Sequence, residues 1–154
     1  MLQPFTKPPQ KTDTYLGFDF GLKKIGVAIG DTETGLANAL TTINSIPKQL
    51  RWKTIQELIV NWEPAGIIVG ISRNMDGSEH EVTRAIQKFA RQLEGRFSLS
   101  VTQVDETLSS REAWQLLYQE TGVSHAKAVK LQDQVAAQLI LQTWLDQQPS
   151  RVAR

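Results

Sequence analysis

Tyr15 to Asp31 holds two apolar runs, Tyr15-Leu-Gly-Phe-Asp-Phe and Ile25-Gly-Val-Ala-Ile-Gly, separated only by Gly21-Leu-Lys-Lys24. So short a polar link between two strand-like runs predicts an antiparallel hairpin. After the turn Thr32-Glu-Thr-Gly35, the segment Leu36 to Ile43 reads as a third strand and extends the meander. Gly66-Ile-Ile-Val-Gly70 is wholly apolar, as suits a strand buried on both faces, and Leu99 to Val104 alternates as a fifth strand. These last two are separated by helical patterns, and crossovers through helices make strands parallel. The expected architecture is α/β: a mixed five-stranded sheet in the order 3-2-1-4-5, its first three strands antiparallel, flanked by helices.

The helices follow from apolar residues at helical spacing. Ile55, Leu58, Ile59 and Trp62 form one stripe, ended by Pro64. Val82, Ile86, Phe89, Ala90 and Leu93 form a second, opened by the capping box Ser78-Glu-His-Glu81. Ser109-Ser-Arg-Glu112 is another capping box and predicts a third helix. A last helix is expected from about Asp133 to Gln147, burying Val135, Ala136, Leu139, Ile140 and Trp144.

The chain has 154 residues, enough for one sizeable core. We expect a single domain over 15–148, a loose polar leader over 1–14 containing Pro4, Pro8 and Pro9, and a short tail over 149–154. No apolar run reaches the ~20 residues that span a bilayer. Without cysteine, disulfides and thiolate metal sites are excluded, and a cytoplasmic location fits. A net charge of +1 means that any affinity for polyanions must come from local clusters.

Three acids stand at the ends of predicted elements. Asp19 sits late in the first strand, Glu106 follows the fifth, and Asp133 opens the last helix. Asp19 either binds a cation, caps a turn or pairs with Lys23 or Lys24. Glu106 is either a functional group at a strand end or a surface loop residue, and Asp105 beside it points the other way in an extended chain. Asp133 either meets a ligand or merely complements the helix dipole. Arg84, Lys88 and Arg91 recur at i, i+4 and i+7, as a binding surface or a solvated face. His125 reads as a loop residue. Trp62, Trp114 and Trp144 fall on helical stripes and read as core or interface, while Trp52 lies off the stripe of its helix.

Four blocks together resemble the YqgF-type family, described both as Holliday-junction resolvases and as pre-16S rRNA nucleases within the ribonuclease H-like superfamily. They are Gly17-Phe-Asp-Phe-Gly21 with the strand to Asp31, Ile67-Ile-Val-Gly70 with Asn74-Met-Asp-Gly77, Asp105-Glu-Thr-Leu-Ser-Ser110, and Asp133-Gln-Val-Ala-Ala-Gln-Leu-Ile-Leu141. The resemblance covers nearly all of the chain after the leader. It implies a ribonuclease H-like fold and Asp19, Glu106 and Asp133 as catalytic, metal-binding carboxylates. Two Mg²⁺ or Mn²⁺ ions about 3.5–4 Å apart would be held by those acids and the scissile phosphate, with Asp19 bridging both. Oxygen ligands suit such hard cations, and two histidines without cysteine make zinc a poor fit. Lys23, Lys24, Arg73, Asn74, Lys127 and Lys130 are the expected nucleic-acid contacts, in loops around the site. Ile71-Ser72-Arg73 stands where the family has Leu-Pro after Val-Gly, and Thr107 where it has a basic residue.

The expected activity is endonucleolytic processing of the 5′ end of pre-16S rRNA. The alternatives are resolution of four-way DNA junctions and a non-catalytic nucleic-acid-binding scaffold. Expected partners are precursor rRNA or branched DNA and ribosome-assembly factors, with no membrane, and the protein as monomer or homodimer. An actin-like or sugar-kinase-like ATPase shares the same core sheet but needs two such domains.

Overall fold

Phe18 and Leu16 are fully buried, Phe20 nearly so, and the residues between them turn to the opposite side of the strand. That alternation makes β1 (Thr14–Phe20) the divider between two cores. The computed structural model describes residues 13–71, 81–105 and 125–148. Around β1 the chain forms β2 (Lys24–Asp31), β3 (Leu36–Asn44), α1 (Lys48–Trp62), β4 (Gly66–Ile71), α2 (Glu81–Phe97), β5 (Ser100–Asp105) and α3 (His125–Asp146). The sheet order is β3-β2-β1-β4-β5. β1 pairs antiparallel with β2 and β2 with β3, whereas β1–β4 and β4–β5 are parallel. Both the order and the strand directions match the expectation from sequence.

One face of the sheet packs Leu16, Phe18, Val27, Ile67 and Val69 against Trp52 and Ile55 of α1 and Ile86, Phe89 and Leu93 of α2. The other packs Ala28, Ala37 and Ile68 against Ala137, Ile140, Leu141 and Leu145 of α3. Every residue of β4 is buried, as its apolar run predicts for a strand covered on both sides.

Two helices keep their expected faces only in part. On α1 the buried residues are Arg51, Trp52 and Ile55, while Trp62 is 43% exposed. The first half of the helix meets the ring cluster of Phe20 and Phe89, and in the second half Leu58 and Ile59 pack partly buried against the same core. Arg51 enters this core as a cation over aromatic faces, 5.6 Å from the Phe20 ring, 5.0 Å from Trp52 and 5.5 Å from Phe89. Burial first, and the nearby Arg96 second, hold its guanidinium below the ordinary arginine pKa. On α3 the buried face is Ala137, Ile140, Leu141 and Leu145, and Val135, Ala136 and Leu139 are only partly buried. Trp144 packs its ring 4.6 Å from that of Tyr15. The capping boxes at Ser78 and Ser109, and Trp114, lie outside the described residues.

α3 also protects the edge strand. Ala37 N–H donates to Gln142 Oε1 at 2.9 Å, and Gln142 Nε2 donates to the Gly35 carbonyl at 2.8 Å. Gln138 Nε2 donates to the Ala37 carbonyl at 3.0 Å. Backbone groups that would otherwise invite another strand are thereby satisfied. Gln142→Ala is expected to lower stability by about 1–3 kcal/mol, because the partners of buried Ala37 and of Gly35 are lost. A urea midpoint equal to that of the wild type would contradict this assignment.

Candidate active site

Tyr15, Gly17 and Asp19 share the side of β1 that faces α3, because successive strand residues point to opposite faces. The contacts follow that rule. Tyr15 meets Trp144, and a Cβ added at Gly17 would strike Leu141 Cβ and the Ala137 carbonyl. α3 lies so close to the sheet that only glycine fits beneath it at this point.

The same close approach recurs one helical turn earlier. Asp19 is paired in register with Gly26 of β2. A Cβ at Gly26 would fall on the backbone carbonyl of Asp133. The helix backbone at Asp133 therefore rests on the residue directly across from Asp19. Four helix residues rise about 6 Å, close to the advance of two strand residues, so Ala137 over Gly17 and Asp133 over Gly26, opposite Asp19, form one continuous seam. Both acids are partly buried.

Asp133 does not open α3. The helix begins at His125, so Asp133 lies two turns inside it, and the helix-dipole reading of this carboxylate falls away. The stretch His125 to Gln132 is rich in Ala, Lys, Leu and Gln, all good helix formers, which extends the helix past its polar start. Consequently His125, Lys127 and Lys130 are on the first turns of a helix and not in a loop.

Lys23 and Lys24 are exposed in the turn just beyond Asp19. Ser45 fixes that turn: its Oγ donates to the Gly21 carbonyl at 2.6 Å and its N–H to the Lys23 carbonyl at 2.9 Å. β1, β4 and β5 run in the same direction, with Phe18 level with Val69 and Ile71 with Asp105. The chain thus leaves β4 and β5 at the end of the sheet that carries Asp19. Glu106, which follows Asp105, and Arg73 and Asn74, which follow Ile71, lie outside the described residues. Of the three predicted acids, Asp19 and Asp133 lie among the described residues, with the backbone of Asp133 resting on Gly26, the register partner of Asp19. No group of three side chains able to hold a metal occurs among those residues.

Gly26 belongs to the site through its lack of a side chain. Its signal was the alternation of small residues Gly26, Ala28 and Gly30 along β2, all facing α3.

A family model described as "RuvX: Holliday junction resolvase" matches residues 13–147. The chain belongs to this family. The match agrees with the YqgF-type resemblance of the four sequence blocks. As a RuvX-family protein the chain falls among nucleases. A relative from Methylococcus capsulatus, named "Putative pre-16S rRNA nuclease", is 48% identical over 131 residues, covering 85% of this chain and 87% of its own. A relative of the same name from Methylobacillus flagellatus is 50% identical over 131 residues, covering 85% and 89%. Among solved structures, RuvC of T. thermophilus in complex with a Holliday junction substrate aligns with a TM-score of 0.54 at 13% identity, covering 82% of this chain and 90% of that one. The Fowlpox virus resolvase bound to Holliday junction DNA aligns with a TM-score of 0.54 at 12% identity, covering 86% and 97%. At such identities the likeness is one of fold, and it makes the RuvX-family sheet ribonuclease H-like.

Proposed function

We propose that the protein is a divalent-metal-dependent endonuclease that processes the 5′ end of precursor 16S rRNA, with Asp19, Glu106 and Asp133 as its catalytic carboxylates. The observation that carries this reading is the crossing at Gly26, which sets the backbone of Asp133 against the partner of Asp19. In this reading acids from two distant segments converge on one face of the sheet, at the end bearing the Lys23–Lys24 turn. Their donors are all oxygen, which fits Mg²⁺ or Mn²⁺. Asp19, Glu106 and Asp133 would hold the ions, which supply Lewis acidity toward water and the scissile phosphodiester. Lys23 and Lys24 contact phosphates and fix the register of the substrate strand, and Lys127, Lys130, Arg73 and Asn74 are assigned the same role. The printed names of relatives at 48% and 50% identity favour ribosomal precursor RNA as substrate.

A four-way DNA junction is the second reading, favoured by the description of the family itself. Paired cuts across a junction require a two-fold dimer, whereas trimming an RNA end does not. The test is a side-by-side digestion of 5′-labelled precursor RNA and a labelled four-way junction with Mg²⁺ or Mn²⁺, with the solution mass measured in parallel. Cleavage of the RNA near the mature 5′ end by a monomer is expected. Symmetric cutting of the junction by a dimer, with the RNA left intact, would assign the protein to the second reading. Binding of both without cleavage of either would leave a scaffold.

A further inference from the structure

A groove of about 810 Å³ lies between α1 and the last turns of α2, on the face of the sheet opposite the acids. Its polar lining is Lys48, Lys53 and Arg96 together with Gln49, Gln56 and Gln92. All six side chains are able to donate hydrogen bonds, three carry positive charge, and no carboxylate of the described residues lines the groove. In a chain whose net charge is only +1, that segregation gives the groove an electrostatic preference for an extended anion. Arg96 lies 4.2 Å over the Trp52 ring, which anchors one cation in the wall. Trp52 is 8% exposed, so its ring is covered and offers no surface for a base to stack on. Ile59, Val60 and Phe97 complete the lining, and beside them the groove offers charge and amide donors, the chemistry that meets a sugar–phosphate backbone without reading its sequence.

The groove also connects to the acidic end of the sheet. Lys48 is the first residue of α1, three positions after the Ser45 that is bonded to Gly21 and Lys23. Lys23, Lys24, Lys48 and Lys53 therefore follow one another from the turn beside Asp19 onto the opposite face. We propose that this groove is a second nucleic-acid contact, holding the phosphodiester backbone of the substrate outside the segment that is cut. The inference deepens the nuclease reading and rests on it for the identity of the polyanion.

The experiment compares wild type, Lys48→Glu/Lys53→Glu and Lys88→Glu/Arg91→Glu, the last making the same charge change on exposed residues of α2 outside the groove lining. Binding of fluorescent poly(U), a short oligouridine and poly(Glu) is measured in EDTA over a range of salt. For Lys48→Glu/Lys53→Glu, poly(U) affinity should fall at least about tenfold and the log–log salt slope by about two, with short-oligonucleotide binding unchanged. The Lys88→Glu/Arg91→Glu variant should stay near wild type. Unchanged poly(U) binding in the groove variant, or an equal loss in the α2 variant, would overturn the proposal. Loss of poly(Glu) with poly(U) retained would assign the groove to an acidic protein segment and overturn it too. Cleavage by wild type with no groove effect would defeat the groove and spare the nuclease reading; a groove effect in a protein that cuts nothing would do the reverse.

Discussion

Asp19→Asn is expected to reduce phosphodiester cleavage by at least about a thousandfold while leaving the melting temperature close to that of the wild type. Ligation of a catalytic cation is worth several kcal/mol in the transition state, and each 1.36 kcal/mol is about tenfold in rate. The fold has less at stake. Asparagine keeps the shape of the side chain and one of its oxygen acceptors. Single-turnover cleavage of labelled precursor RNA, with thermal unfolding of the same preparations, separates the two effects. Wild-type rates in the variant would remove Asp19 from the chemistry. A collapse of the melting temperature would make it a structural residue.

Gly26→Ala is expected to do the opposite, damaging fold and activity together. The added methyl would occupy the position of the Asp133 backbone carbonyl, and backbone yields less readily than a side-chain tip. Overpacking of this kind costs about 1–3 kcal/mol, and the rigid neighbour places the effect near the top of that range. Lifting α3 from β2 also carries Asp133 away from Asp19, and a displacement of about 1 Å can cost about a hundredfold in rate. Gly95→Ala is the contrast. Gly95 lies in α2 with nothing within 4 Å of an added Cβ, so alanine should stabilise the protein by about 0.5–1 kcal/mol. Denaturant midpoints of the two variants, with cleavage rates, check both signs. A neutral Gly26→Ala would mean that the close crossing of helix and strand is unnecessary.

The sheet was legible because its signals are local and redundant. The short link Gly21 to Lys24 makes the hairpin, and the unbroken apolar run of β4 marks a strand covered on both faces. Strand order then follows from helices between parallel strands. The helix faces were less legible. Arg51 breaks the rule that cations face water, because three aromatic rings compensate it in the core. Arg51 and Trp52 thereby join Ile55, Leu58 and Ile59 against the core, and of the apolar stripe only Trp62 is left outward. The start of α3 was hidden by the polarity of His125 to Gln132, although those residues favour helix. Asp19 and Asp133 were picked out by residue type and by motif. What admits the backbone of Asp133 opposite the partner of Asp19 is a glycine with no chemistry of its own, and that role is defined only once α3 is seen to cross β2.

The most direct test is a titration with Mn²⁺ followed by electron paramagnetic resonance, on wild type, Asp19→Asn and Asp133→Asn. If the two acids share a site, the wild type takes up Mn²⁺, and each substitution alone lowers its affinity at least about tenfold by removing an oxygen donor. Equal Mn²⁺ uptake by all three proteins would contradict a metal site built where α3 crosses Gly26.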